Sequence, residues 1–79
     1  MKSQYIIVKN TYQGNDFIQT SFGVAFVEEE EGQMIILETI SDLTPNFERI
    51  ERFVKLCNEE NLSYLHLKDV AADFVSNLE

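Results

Sequence analysis

The chain has one cysteine, Cys57, and one histidine, His66, among its 79 residues. A single cysteine excludes an internal disulfide, and one cysteine with one histidine cannot form the ligand cluster of a structural zinc site. Glycine is also scarce, and Gly14, Gly23 and Gly32 are too scattered to cradle a phosphate group. There is no serine-centred nucleophile elbow and no His-Glu-x-x-His pattern, so we expect a protein that is not an enzyme and holds no cofactor.

Basic residues are few as well. Six Lys and Arg stand against fourteen Asp and Glu, which gives a net charge of −8. Such a surface repels a phosphate backbone, so we expect no nucleic-acid partner and favour basic proteins or metal cations instead. No apolar run reaches membrane-spanning length, and residues 1–5 lack a signal-peptide core. We therefore expect no membrane association and a cytoplasmic location.

The length favours a partner chain. We expect one domain over residues 1–79, and a domain of this size buries only about 60–65% of the surface that its unfolded chain exposes. Small domains commonly gain the missing stability from disulfides, a structural metal or a second subunit. Because the first two have no support here, a protein partner or a homodimer becomes the leading expectation.

Period-2 patterns fill the first forty residues and predict three strands. The predicted strands are residues 5–8, 17–28 and 33–40. Turn-forming residues 12–16 separate the first two strands, and residues 28–32, four glutamates and a glycine, predict the tip of a hairpin. Consecutive strands with such short connections predict an antiparallel meander.

Period-3.6 patterns follow and predict two helices. Thr44 and Pro45 are a typical helix start, and Ser63 is a candidate cap for a second helix that ends near Leu78. The first apolar stripe consists of Phe47, Ile50, Phe53, Val54 and Cys57, and the second of Leu67, Val70, Ala71, Phe74 and Leu78. The expected fold is α+β with the order β-β-β-α-α, in which both helices pack on one face of the meander.

The second strand has apolar residues on both faces. Its large side chains Phe22, Val24 and Phe26 mark the face that packs against the helices. The opposite face would expose a larger apolar patch than a monomer usually shows. We expect this patch to be an interaction surface, and its predicted residues are Ala25, Val27, Ile35 and Leu37.

A second candidate site lies on the second predicted helix. His66, Asp69 and Asp73 are spaced i, i+3, i+7 and would share one edge of that helix, where two carboxylates and an imidazole suit a divalent cation. A structural interpretation is also open, with Asp69 stabilised by the helix dipole. A third hypothesis is a thiol–imidazole pair of Cys57 and His66 for nucleophilic catalysis. An apolar setting for Cys57 opposes thiolate formation, however.

Several short runs resemble a known group of sequences. They are Cys57-Asn58, Leu62-Ser63, His66-Leu67, Asp69-Val70 and Asp73-Phe74, preceded by Phe22-Gly23-Val24 and Ile40-Ser41-Asp42. Together they resemble a short uncharacterised bacterial family of unknown function, over nearly the whole chain. The resemblance implies no activity, cofactor or catalytic residue.

Three hypotheses about function follow from the sequence. The first is a non-enzymatic interaction or regulatory module that self-associates or docks a protein partner through its sheet. The second is a small metal- or ligand-binding protein that uses His66, Asp69 and Asp73. The third is an acidic decoy that occupies a basic surface on another protein.

Overall fold

The computed structural model describes residues 2–76 and confirms the β-β-β-α-α order. The elements are β1 (Lys2–Gln13), β2 (Ile18–Glu30), β3 (Gln33–Thr44), α1 (Phe47–Glu59), a 3₁₀ turn (Tyr64–His66) and α2 (Leu67–Ser76). The strands form one antiparallel sheet in the order β1-β2-β3. Strand β1 extends beyond both predicted ends, and β2 and β3 extend beyond their predicted last residues, because pairing continues through polar residues that carry no hydrophobic alternation.

The β1–β2 hairpin is regular, whereas the β2–β3 hairpin is bulged. Strand β1 pairs with β2 without interruption from Lys2 opposite Glu29 to Gln13 opposite Ile18. The β2–β3 register shifts between Phe26 and Val27 and again between Phe22 and Val24. Both shifts place extra residues in β3, and bulges of this kind bend a strand and increase its twist.

The tip of the second hairpin lies where the glutamate run predicts it. Strand β2 continues to Glu30, and the turn is formed by Glu31 at φ 52° and Gly32 at φ 80°. Two consecutive positive φ values are the requirement of a type I′ hairpin turn. Glycine meets this requirement without steric cost.

The core lies between the helices and one face of the sheet, as predicted. Val24 of β2 and Tyr5 of β1 are buried there, with Phe22 and Phe26 packed against them. The helices contribute the remaining buried members of this cluster, which are Ile50, Phe53, Val54, Cys57, Leu67 and Ala71. Leu78, the predicted last stripe residue of the second helix, lies outside the described residues.

Both helix starts differ from the prediction. The N-terminal cap of α1 is Asn46 and not the predicted Thr44. The Asn46 side chain accepts a hydrogen bond from the Arg49 N–H at 3.1 Å. The hydroxyl of Thr44 instead accepts the Asn46 N–H at 3.1 Å, so it orders the residues before the helix. Ser63 caps the 3₁₀ turn, and α2 begins only at Leu67. Neither helix within residues 2–76 has the length and apolar character needed to cross a bilayer.

The sheet is strongly curled, and β1 approaches β3 across β2. The Tyr12 hydroxyl of β1 donates to the Asp42 carboxylate of β3, with distances of 2.8 and 3.0 Å to its two oxygens. Asp42 adopts φ 58° within the bulged part of β3. Gly23 lies beneath this bulge, where the β3 backbone passes close to its Cα. The curl therefore depends on a residue without a side chain.

Candidate interaction surface

The predicted interaction residues are divided between interior and surface. Ala25 and Val27 are 0% and 2% exposed, whereas Ile35 and Leu37 are 42% and 37% exposed. Ala25 lies between Ile6 on β1 and Thr39 on β3 in the register. Two of the four residues thus have almost no area to offer a partner.

The hairpin turn at Glu31 and Gly32 decides which β3 residues share a face with Val27. Ile36, and not Ile35, lies opposite Val27, while Ile35 lies opposite Glu28. Since side chains alternate across a strand, Ile36 shares the face of Val27 and Ile35 lies on the other face. Periodicity within each strand does not give the register between strands, so the predicted patch placed the wrong isoleucine on the face of Val27.

The exposed apolar surface of the sheet is concentrated in four consecutive residues. Met34, Ile35, Ile36 and Leu37, called here the β3 apolar run, are 56%, 42%, 62% and 37% exposed. They lie near the start of β3, which is an edge strand, and their side chains lie on both faces of that strand. Exposed apolar edge strands invite association with another chain unless something covers or blocks them.

The opposite edge of the sheet is blocked by a side chain. The Tyr5 N–H donates to Asn58 Oδ1 at 2.7 Å, and Asn58 Nδ2 donates to the Tyr5 carbonyl at 3.1 Å. The amide of Asn58 therefore occupies the position that a neighbouring strand would take against β1. The Tyr5 hydroxyl adds a bond to the Leu62 carbonyl at 2.7 Å. The hydrogen bonds found for residues 2–76 include no comparable clamp on residues 33–43 of β3.

The three predicted metal ligands are not held in one helix. His66 ends the 3₁₀ turn, while Asp69 and Asp73 belong to α2, and all three are exposed. Over residues 2–76, no group of three or more His, Cys, Asp or Glu side chains is arranged to hold a metal ion. The metal hypothesis stays a prediction with no added support from this geometry.

Calorimetric titration of the protein with zinc, manganese and calcium checks that prediction. On this geometry we expect no heat above dilution for any of the three ions, because exposed ligands without a preformed site bind weakly. The matched control is the Asp69→Asn, Asp73→Asn double variant. A saturable heat in the wild type that the double variant loses would contradict this expectation and establish the site.

Cys57 is placed for packing. It is 3% exposed in the core cluster, and burial raises the pKa of its thiol to about 11. The thiolate, which is the nucleophilic form, is therefore disfavoured near neutral pH. His66 is exposed. Burial likewise raises the pKa of the neighbouring Tyr5 phenol to about 12, with a smaller contribution from Cys57.

The fold defines a class of small α+β proteins in which a curled three-stranded meander is covered on one face by two helices. The chain belongs to a family of unknown function, DUF6514, whose model matches residues 1–77. The resemblance to a family of unknown function is thereby confirmed, while a bacterial origin stays an expectation. Neither the curated proteins nor the solved structures gave a match to the chain.

Proposed function

We propose that this protein is a non-enzymatic interaction module that self-associates through the β3 apolar run. The observation that carries the proposal is the exposure of four consecutive hydrophobic side chains on an edge strand. Burying such side chains yields about 25 cal/mol per Å² of apolar area removed from water. A second copy of the chain can bury the β3 apolar run, so no other molecule is required.

The asymmetry between the two edges supports this choice of surface. Asn58 occupies the β1 edge at Tyr5 through two hydrogen bonds. Burial of Ala25 and Val27 removes these two residues of the outer face as an alternative contact. A reducing compartment such as the cytoplasm suits the single free thiol of Cys57, and we propose that location for the association.

The test is the mass in solution, measured by light scattering over a range of protein concentrations. We expect the wild type to exceed the monomer mass and Ile36→Lys to remain monomeric, because a charge at the centre of the run opposes its burial. The matched control is Ile18→Lys, which introduces the same charge at a residue that is 71% exposed in β2. That variant should associate like the wild type.

Two results would overturn the proposal. One is a wild type that stays monomeric at every concentration. The other is equal loss of association in Ile18→Lys and Ile36→Lys, since net charge and not the β3 apolar run would then control the mass. Circular dichroism of both variants checks that each retains the fold.

A further inference from the structure

We propose that the surface receiving the β3 apolar run is a groove between α1 and α2 of the second copy. The groove is lined by Arg49, Arg52, Phe53, Leu56 and Phe74 and is called here the arginine groove. This inference rests on the proposed self-association and names its counter-surface. The inserted segment is the end of the β2–β3 hairpin, residues 28–37, with its glutamates and the β3 apolar run.

The arginine groove is apolar along its floor. The rings of Phe53 and Phe74 stack with their centroids 4.5 Å apart, and Leu56 is 54% exposed beside them. The space between these side chains is about 220 Å³. A space of this size suits one or two aliphatic side chains, such as those of Met34 and Ile36.

Two arginines flank that floor. The ion pair found among residues 2–76 is Lys55 with Glu59 at 3.9 Å, and it includes neither Arg49 nor Arg52. Both arginines are exposed, in a chain whose net charge is −8. A segment that fits the groove therefore has carboxylates beside apolar side chains, since a guanidinium binds a carboxylate with charge-assisted hydrogen bonds.

The end of the β2–β3 hairpin has this composition. Residues 28–31 are four glutamates, and the β3 apolar run follows after Gly32 and Gln33. Glu29, Glu30 and Glu31 are exposed at the tip. The hairpin end therefore presents both the negative charge and the hydrophobic side chains that the arginine groove accommodates.

Charge also argues against the simplest alternative, the pairing of β3 with β3 of the second copy. Strands β2 and β3 contain no lysine or arginine, and β3 includes Glu38 and Asp42. Symmetric pairing would bring these acidic strands together with no cation between them. Docking in the arginine groove compensates the glutamates, and a two-fold axis lets each copy supply one hairpin end and one groove.

A charge-reversal pair tests the inference. The double variant Arg49→Glu, Arg52→Glu makes the groove acidic. We expect its dimer dissociation constant to rise about tenfold or more, as measured by sedimentation equilibrium. The control Lys9→Glu, Lys68→Glu changes the net charge equally at residues outside the groove lining. It should shift the constant much less.

Mixing supplies the decisive measurement. The double variant Glu29→Arg, Glu30→Arg reverses the charge of the hairpin tip and should also prevent self-association. Mixed with the groove-reversed variant, it should form a heterodimer, because every groove then faces a tip of opposite charge.

The outcomes separate the two proposals. In one outcome, Ile36→Lys abolishes association, but the double variant Arg49→Glu, Arg52→Glu has the same dissociation constant as the lysine control. Self-association then stands, and the arginine groove is not the counter-surface. Absence of a heterodimer in the mixture would likewise contradict the arginine groove as the counter-surface. A monomeric wild type would remove both proposals together.

Discussion

Replacing Gly23 with alanine should cost about 3 kcal/mol of the free energy of unfolding, near the upper end for an overpacked site. An added Cβ would overlap the Ile40 carbonyl oxygen and lie 2.8 Å from the Cα of Ser41. Both atoms belong to the β3 backbone, so neither can rotate away as the end of a side chain could. Relief requires β3 to move away from β2, which disturbs the bulge and the Tyr12–Asp42 bond that spans the sheet.

Urea denaturation of Gly23→Ala, followed by circular dichroism, measures this cost. The experiment belongs in the Ile36→Lys background, because association would otherwise add a concentration-dependent term to stability. The control is Gly32→Ala at the hairpin turn, where no atom lies within 4 Å of an added Cβ. Its positive φ of 80° costs alanine about 1 kcal/mol. A Gly23→Ala cost no larger than that of Gly32→Ala would mean that the β3 backbone does not approach Gly23 as described.

The core face of the sheet was predictable from β2 alone. Phe22, Val24 and Phe26 alternate with smaller residues, and the larger set packs against the helices as predicted. The stripe of the first helix was also largely correct, since Ile50, Phe53, Val54 and Cys57 are buried, whereas its first residue, Phe47, is 48% exposed. Alternation and helical spacing report which side faces the core, because burial of apolar area is the dominant force that selects them.

The candidate interaction surface was only partly predictable, because it depends on strand register and on the curl of the sheet. The two-residue turn at Glu31 and Gly32 places Ile36 opposite Val27, and Ala25 is fully buried within the curled sheet. Alternation along one strand reports neither its register against the next strand nor the curl of the sheet. Met34 and Ile36 therefore became part of the surface, while Ala25 and Val27 moved to the interior.

The closed edge of β1 was likewise not predicted. Asn58 lies in the last turn of α1, yet its amide bonds to both backbone groups of Tyr5, far away along the chain. A contact of this kind depends on where the end of α1 meets the sheet. Single-sequence patterns describe local periodicity, so such long-range polar pairing lies beyond them.

Truncating Leu67 to alanine should also cost about 3 kcal/mol, within the range for leucine-to-alanine changes in cores. Leu67 is fully buried at the first residue of α2 and belongs to the core cluster. Its loss leaves a cavity that a short helix, held by few buried residues, only partly closes. For a domain this small, whose total stability is on the order of 4–12 kcal/mol, the change removes a large fraction of it.

The matched control lies two residues earlier. Leu65 is 75% exposed in the 3₁₀ turn, so Leu65→Ala should shift the free energy of unfolding by no more than about 0.5 kcal/mol. Urea midpoints of both variants in the Ile36→Lys background give the comparison. Equal costs at the two leucines would mean that α2 does not pack on the sheet through Leu67. The arginine groove would then lose its second wall, because Phe74 reaches Phe53 only while α2 is docked.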